Sequence, residues 1–151
     1  MRVWRITRQR YLSLDGEGAR MNGGRWNSEG IPVVYASSTL SLAALEYLVH
    51  VDVEDVPHDL CALKIAVPDD APVEDVELPG LPGDWNRVED HPACTARGDD
   101  WARRGAALAL RVPSALIPAE QNLLLNSRHP DMDRVRVVSI ETFAFDPRLL
   151  A

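Results

Sequence analysis

Residues 40–51, Leu-Ser-Leu-Ala-Ala-Leu-Glu-Tyr-Leu-Val-His-Val, carry apolar side chains on nearly every side of a helix with 3.6 residues per turn. A helix of that kind is expected to be buried on several sides, so the rest of the chain must supply a core that wraps it. Ser37, Ser38 and Thr39 offer capping hydroxyls in front of it, and Pro32 to Ala36 reads as a buried strand leading into it. Glu46 is the lone carboxylate of the helix, and His50, four residues on, shares its face. An unpaired buried charge is costly, so this carboxylate is expected to line a cleft or to be paired.

The remaining pattern is richer in strands than in helices. Val3 to Thr7 opens as a strand, and Tyr11 to Gly24, with its Gly, Asp and Asn, reads as a long loop. Arg25-Trp26 is expected to begin a short strand. Leu60 to Val67 reads as a central strand and Val73 to Leu78 as an edge strand. Pro79 to Asp84 follows as a surface loop, and Pro92 to Arg104 as a helix carrying Trp101. Ala106 to Val112 and Ala115 to Ile117 read as strands, Glu120 to Leu125 as a helical turn, and Val135 to Phe145 as the final strand. Helices and strands do not alternate regularly, which favours an α+β fold with a mixed sheet flanked by helices over a doubly wound one. At 151 residues and 46% hydrophobic content, one domain spanning 1–151 is expected.

The net charge of −7 argues against DNA or RNA as a direct substrate, since nonspecific affinity for phosphate backbones comes from clustered cations. Cys61 and Cys94 stand apart with no ligand spacing, and no histidine pair has metal spacing, so neither a disulfide nor a metal is expected. The cysteines read as core thiols of a reducing compartment. There is no signal-like start and no membrane-length apolar run, which points to a cytoplasmic protein. Arg2, Arg5, Arg8, Arg10 and Arg20 read as a solvated basic face.

Three residues stand above that background. Arg25, in Gly23-Gly24-Arg25-Trp26-Asn27, is a planar fork suited to a diphosphate, with a structural arginine bridging loop carbonyls as the alternative. Tyr35 can offer a ring to a nicotinamide and a hydroxyl to a ribose, or be a core tyrosine. Glu46 can steady the positive charge of an oxocarbenium-like transition state in glycosidic cleavage, or form a buried salt bridge with an arginine. Trp26 reads first as a core anchor, and Ser114 as turn chemistry after Pro113.

Arg25 in GGRWN, Glu46 in SLAALEYLVH and Ser114 in RVPSAL resemble, in order and spacing, the arginine, glutamate and serine that give the RES domain its name. The resemblance continues through Gly16 to Ala19, Val33 to Ser37, Glu120 to Asn126, His129-Pro130 and Phe145 to Arg148, which covers essentially the whole chain. Ser127-Arg128 departs from it, standing where the family often has a proline. The resemblance implies a fold similar to ADP-ribosyltransferase toxins and membership of a bacterial RES–Xre type II toxin–antitoxin pair that consumes NAD⁺. It implies that Glu46, Arg25 and Tyr35 are catalytic, and that Arg25, Trp26, Tyr35, Ser114, Asn122 and Asn126 bind the dinucleotide. Family members release ADP-ribose to water or phosphate, or transfer it to a host protein such as an enzyme of nucleotide metabolism. The implied partner is an Xre-type helix-turn-helix antitoxin covering the cleft, for which the early arginines offer a second reading as a partner surface. From a different class, a noncatalytic nucleotide-binding or interaction module would use the same pocket.

Overall fold

The computed structural model describes residues 1–151. Strands β1 (Arg2–Arg8), β2 (Val33–Ser37), β3 (Leu60–Ala66), β4 (Val73–Asp75), β5 (Ala109–Pro113), β6 (Gln121–Asn126) and β7 (Arg136–Thr142) form one seven-stranded sheet in the order β4-β5-β6-β2-β1-β3-β7. Only β4 and β5 run parallel, so the sheet is mixed. Helices α1 (Glu17–Asn22), α2 (Leu40–Leu48) and α3 (Pro92–Arg104) complete an α+β fold. No helix is long and apolar enough to cross a membrane.

Strand registers assign the two faces. Opposite residues of an antiparallel pair point the same way, so Trp4, Ser37, Asn122 and Val112 share one face, together with Tyr35, Leu124 and Leu110 two residues along. Both longer helices lie on this face. Ala43 of α2 packs with Ile6, Leu60, Ala62 and Phe145, while Cys94 and Trp101 of α3 pack with Val33, Leu110, Val112 and Leu124. The opposite face buries Val3, Val34, Ala36, Leu63, Ile65, Leu123 and Leu125 beneath Met1, Leu12, Leu14 and Met132. The first face therefore carries two separate apolar clusters, one under each helix.

Several elements differ from the sequence expectation, each for a physical reason. Gln121–Asn126 is a strand and not a helical turn. Leucine favours helices, but Leu123, Leu124 and Leu125 lie between two neighbouring strands with both faces covered, and a doubly buried strand is continuously apolar. The stretch 11–24 contains α1, and Arg25-Trp26 is part of a turn closed by a Gly24–Asn27 bridge instead of a strand. Residues 115–117 form no strand. Helix α2 stops at Leu48, and only Leu42 and Ala43 on it are buried; Leu45 and Val49 remain 41% and 54% exposed because the sheet covers one side alone. Thr39 caps it, its Oγ1 accepting from Leu42 N at 3.1 Å. Cys61 and Cys94 are buried free thiols.

Helix α3 approaches the 24–28 turn very closely. A Cβ at Gly98 would stand 1.7 Å from the Trp26 carbonyl oxygen, so no side chain fits there without moving backbone. Beside it, buried Asp99 accepts from the Ser28 amide at 2.8 Å and from the Ser28 hydroxyl. Gly98→Ala is expected to lower stability by about 2 kcal/mol or more, as overpacking of a rigid contact does. Urea denaturation checks this, and an unchanged midpoint would mean that α3 and the turn are not in contact in solution.

Candidate active site

Glu46 projects from α2 toward the ends of β5 and β6. Its Oε1 accepts from Asn122 Nδ2 at 2.7 Å and from Ser114 Oγ at 2.8 Å. Both partners are neutral, so the salt bridge with an arginine considered from sequence is absent. Its Oε2 accepts nothing from the protein. The supports are themselves held. Ser114, fully buried, accepts at Oγ from the Leu116 and Ile117 amides, both at 3.1 Å, in the turn after β5. Asn122 Oδ1 accepts from Ser37 Oγ at 2.7 Å, which fixes the amide so that its NH₂ faces Glu46. Ser37, expected as a capping residue, thus belongs to the carboxylate's support while Thr39 does the capping. Hydrogen bonds to a charged group contribute about 1.5–3 kcal/mol each, enough to hold one carboxylate rotamer.

A second polar cluster forms around Tyr35. Its hydroxyl donates to Asn27 Oδ1 at 2.6 Å and accepts from the Trp26 amide at 3.1 Å. Burial pushes the phenol well above its ordinary pKa, so it stays protonated. Asn27 is buried and its NH₂ donates to the carbonyls of Ala19, Ser28 and Ile31, tying the turn together. Gly24 is small for the same reason: a Cβ there would lie 2.7 Å from the Tyr35 hydroxyl. Gly23, at φ 68°, ends α1, its amide donating to Ala19 O at 2.8 Å. These two glycines serve the turn's own packing.

Arg25 donates from Nη1 to Trp85 O at 3.0 Å and from Nη2 to Arg87 O at 2.7 Å, the loop-bridging geometry weighed from sequence. A guanidinium carries five N–H donors, so three remain for another acceptor. Arg5 was grouped with a solvated basic face, but it inserts at the seam between β1 and β2. Those strands pair at Trp4–Ser37 alone, and Arg5 Nη1 donates to the Tyr35 carbonyl at 2.8 Å. Burial lowers its pKa from the ordinary value.

Tyr35 and Ser37 lie two residues apart on one face of β2, roughly 7 Å along the strand, so the two clusters are neighbours on the sheet. Two residues named for dinucleotide binding have side chains engaged by the protein itself. The Trp26 ring is 3% exposed and packs against Trp85 at a centroid distance of 6.4 Å, which leaves it no free face for a base. Asn126 sits at the opposite end of β6 from Asn122; it is 3% exposed, donates to Ala102 O and accepts from the Arg128 amide. Both side chains are buried and make their contacts within the fold. His50 lies past the end of α2, is exposed and makes no hydrogen bond to Glu46.

Residues 2–146 match the RES domain. The chain belongs to the RES domain family. This RES domain is 36% identical over 139 residues to the Prs ADP-ribosylating toxin of Sphingobium sp., covering 91% of this chain and 86% of the relative. It is 38% identical over 153 residues to Toxin Res of Yersinia enterocolitica, covering 99% of each. Among solved structures it is similar to the M. tuberculosis MbcT–MbcA toxin–antitoxin complex, with a TM-score of 0.77 and 22% identity, covering 99% of this chain and 86% of that one. This last likeness establishes a shared fold.

The Tyr35 cluster gives a stability prediction for the RES domain. Tyr35→Phe leaves Asn27 Oδ1 and the Trp26 amide without partners, and is expected to cost about 1–3 kcal/mol. Chemical denaturation measures it, and a neutral effect would contradict the bracing role of this hydroxyl.

Proposed function

We propose that this protein breaks the N-glycosidic bond between nicotinamide and ribose in NAD⁺. The bond from the ribose anomeric carbon to the ring nitrogen cleaves with its electron pair going to nitrogen, so nicotinamide leaves neutral and a ribosyl cation develops. Water or phosphate then bonds to that carbon, and the proton it sheds passes to solvent. Glu46 stabilises the developing cation and orients the ribose hydroxyls, Tyr35 lies against the nicotinamide, and Arg25 holds the diphosphate with its remaining donors. Ser114 and Asn122 act through Glu46 by fixing its orientation.

The observation that carries this reading is the state of Glu46, a half-buried carboxylate with no cationic partner, one oxygen fixed by two neutral donors and the other free. A preorganised negative charge of that kind is suited to a transition state that becomes positive. The alternative acceptor is a host protein, making the reaction a mono-ADP-ribosylation; the name of the Sphingobium relative favours it. We further infer an antitoxin of the Xre type that covers the site, supported by the toxin–antitoxin assembly of the structural neighbour. Exposed Leu45 on α2 and Val49 just past its end, with Leu116 and Ile117 beside Ser114, offer it an apolar rim around Glu46.

The test is nicotinamide release by purified protein. Glu46→Gln keeps an oxygen for Ser114 and Asn122 but removes the charge, so the fold is retained while the rate falls by about 10²-fold or more. Equal rates would remove Glu46 from the mechanism. Labelled NAD⁺ in cell lysate separates the acceptors: free ADP-ribose or its phosphate accompanies degradation, and one labelled protein band accompanies transfer.

A further inference from the structure

Arg25 spends two of its five donors on the loop carbonyls of Trp85 and Arg87, and the consequence for that loop is specific. Trp85 is anchored in the core against Trp26, and its carbonyl also accepts from Cys94 Sγ at 3.5 Å. The Arg87 amide closes a turn onto Asp84 O at 3.1 Å. The backbone of 84–87 is therefore pinned directly against the Arg25 guanidinium. The Arg87 side chain is not pinned. Its one contact is Asp84 Oδ2 at 3.4 Å, with the two side chains 56% and 67% exposed, and an exposed pair of that kind holds weakly.

From this geometry we propose that Arg87 is a second binding cation for the anionic part of the ligand, presented beside Arg25 by that guanidinium's grip on the loop. The inference rests on the NAD⁺ reading and names the part of the ligand that Arg87 recognises, the diphosphate. In a protein of net charge −7, a dianionic diphosphate needs a local positive focus, and Arg25 with three donors left supplies a single charge. Arg87 supplies the next, releasing Asp84 as it turns to the phosphate.

The experiment is calorimetric titration of ADP-ribose into the unsubstituted protein, Arg87→Ala, Arg87→Lys and Asp84→Ala, with NAD⁺ kinetics and melting curves on the same samples. Arg87→Ala is expected to raise the ADP-ribose Kd and the NAD⁺ KM about tenfold with kcat and melting midpoint unchanged. Arg87→Lys recovers most of the affinity, and Asp84→Ala binds as tightly as the unsubstituted protein or more tightly. An unchanged Kd in Arg87→Ala overturns the role of Arg87 alone. Loss of affinity in Arg87→Ala that Arg87→Lys does not recover, accompanied by a lower melting midpoint, overturns it in favour of a loop-folding role. If the unsubstituted protein binds ADP-ribose without cleaving NAD⁺, the reaction fails while the Kd comparison still decides Arg87. No binding by the unsubstituted protein overturns both.

Discussion

A carboxylate on a short helix, held by a serine in the turn after one strand and an asparagine in the next, sets the requirements that the rest of this fold meets. Glu46 is held in one orientation only if Ser114, directly after β5, and Asn122, second in β6, stand at matching heights, which the Pro113–Gln121 register provides. Each donor is fixed in turn, Ser114 by two turn amides and Asn122 by Ser37 of β2. Two donors thus meet on one oxygen atom, each held by a further layer of the fold. The other oxygen stays available, which separates this carboxylate from one buried for structure alone, where both oxygens are normally satisfied.

The Arg25 side of the site is built differently. Here polar groups brace a turn and a loop: Tyr35 and Asn27 close the turn, Arg25 fastens the loop at Trp85 and Arg87, and Asp99 with Gly98 seat α3 on the same turn. The proposed binding role gives Arg25 a second duty beside fastening the loop, and a guanidinium has more donors than two carbonyls can use. The residues that bind would also be residues that fold, so loss of activity on substitution here needs a stability measurement beside it.

Much of this was legible in the sequence. The ordered set Arg25, Tyr35, Glu46 and Ser114 carried the family, and β1, β3 and α3 emerged close to their true limits because alternation, β-branched runs and a proline at the first helical position are local signals. What was not legible depends on neighbours distant in the chain. The helix-forming Leu123–Leu125 run becomes a strand only because β2 and β5 flank it, and Arg5 is half-buried against the Tyr35 carbonyl only because β1 and β2 part after a single pair. Ser37 looked like a cap and Asn126 like a ligand group, since the partner of a hydroxyl or an amide lies in the fold and not in its immediate surroundings. Trp26 likewise could have been platform or anchor until Trp85, far along the chain, filled its face.

The proposed chemistry requires the free oxygen of Glu46 to face the ribose of a dinucleotide whose diphosphate lies on Arg25. A crystal structure of the protein with a non-cleavable NAD⁺ analogue tests it most directly. The ribose next to the nicotinamide is expected within hydrogen-bonding distance of Glu46 Oε2, with phosphate oxygens on the Arg25 guanidinium. An analogue bound instead in the separate cavity of about 320 Å³ lined by Gln9, His58 and Thr142 would contradict it, as would one that leaves both side chains untouched.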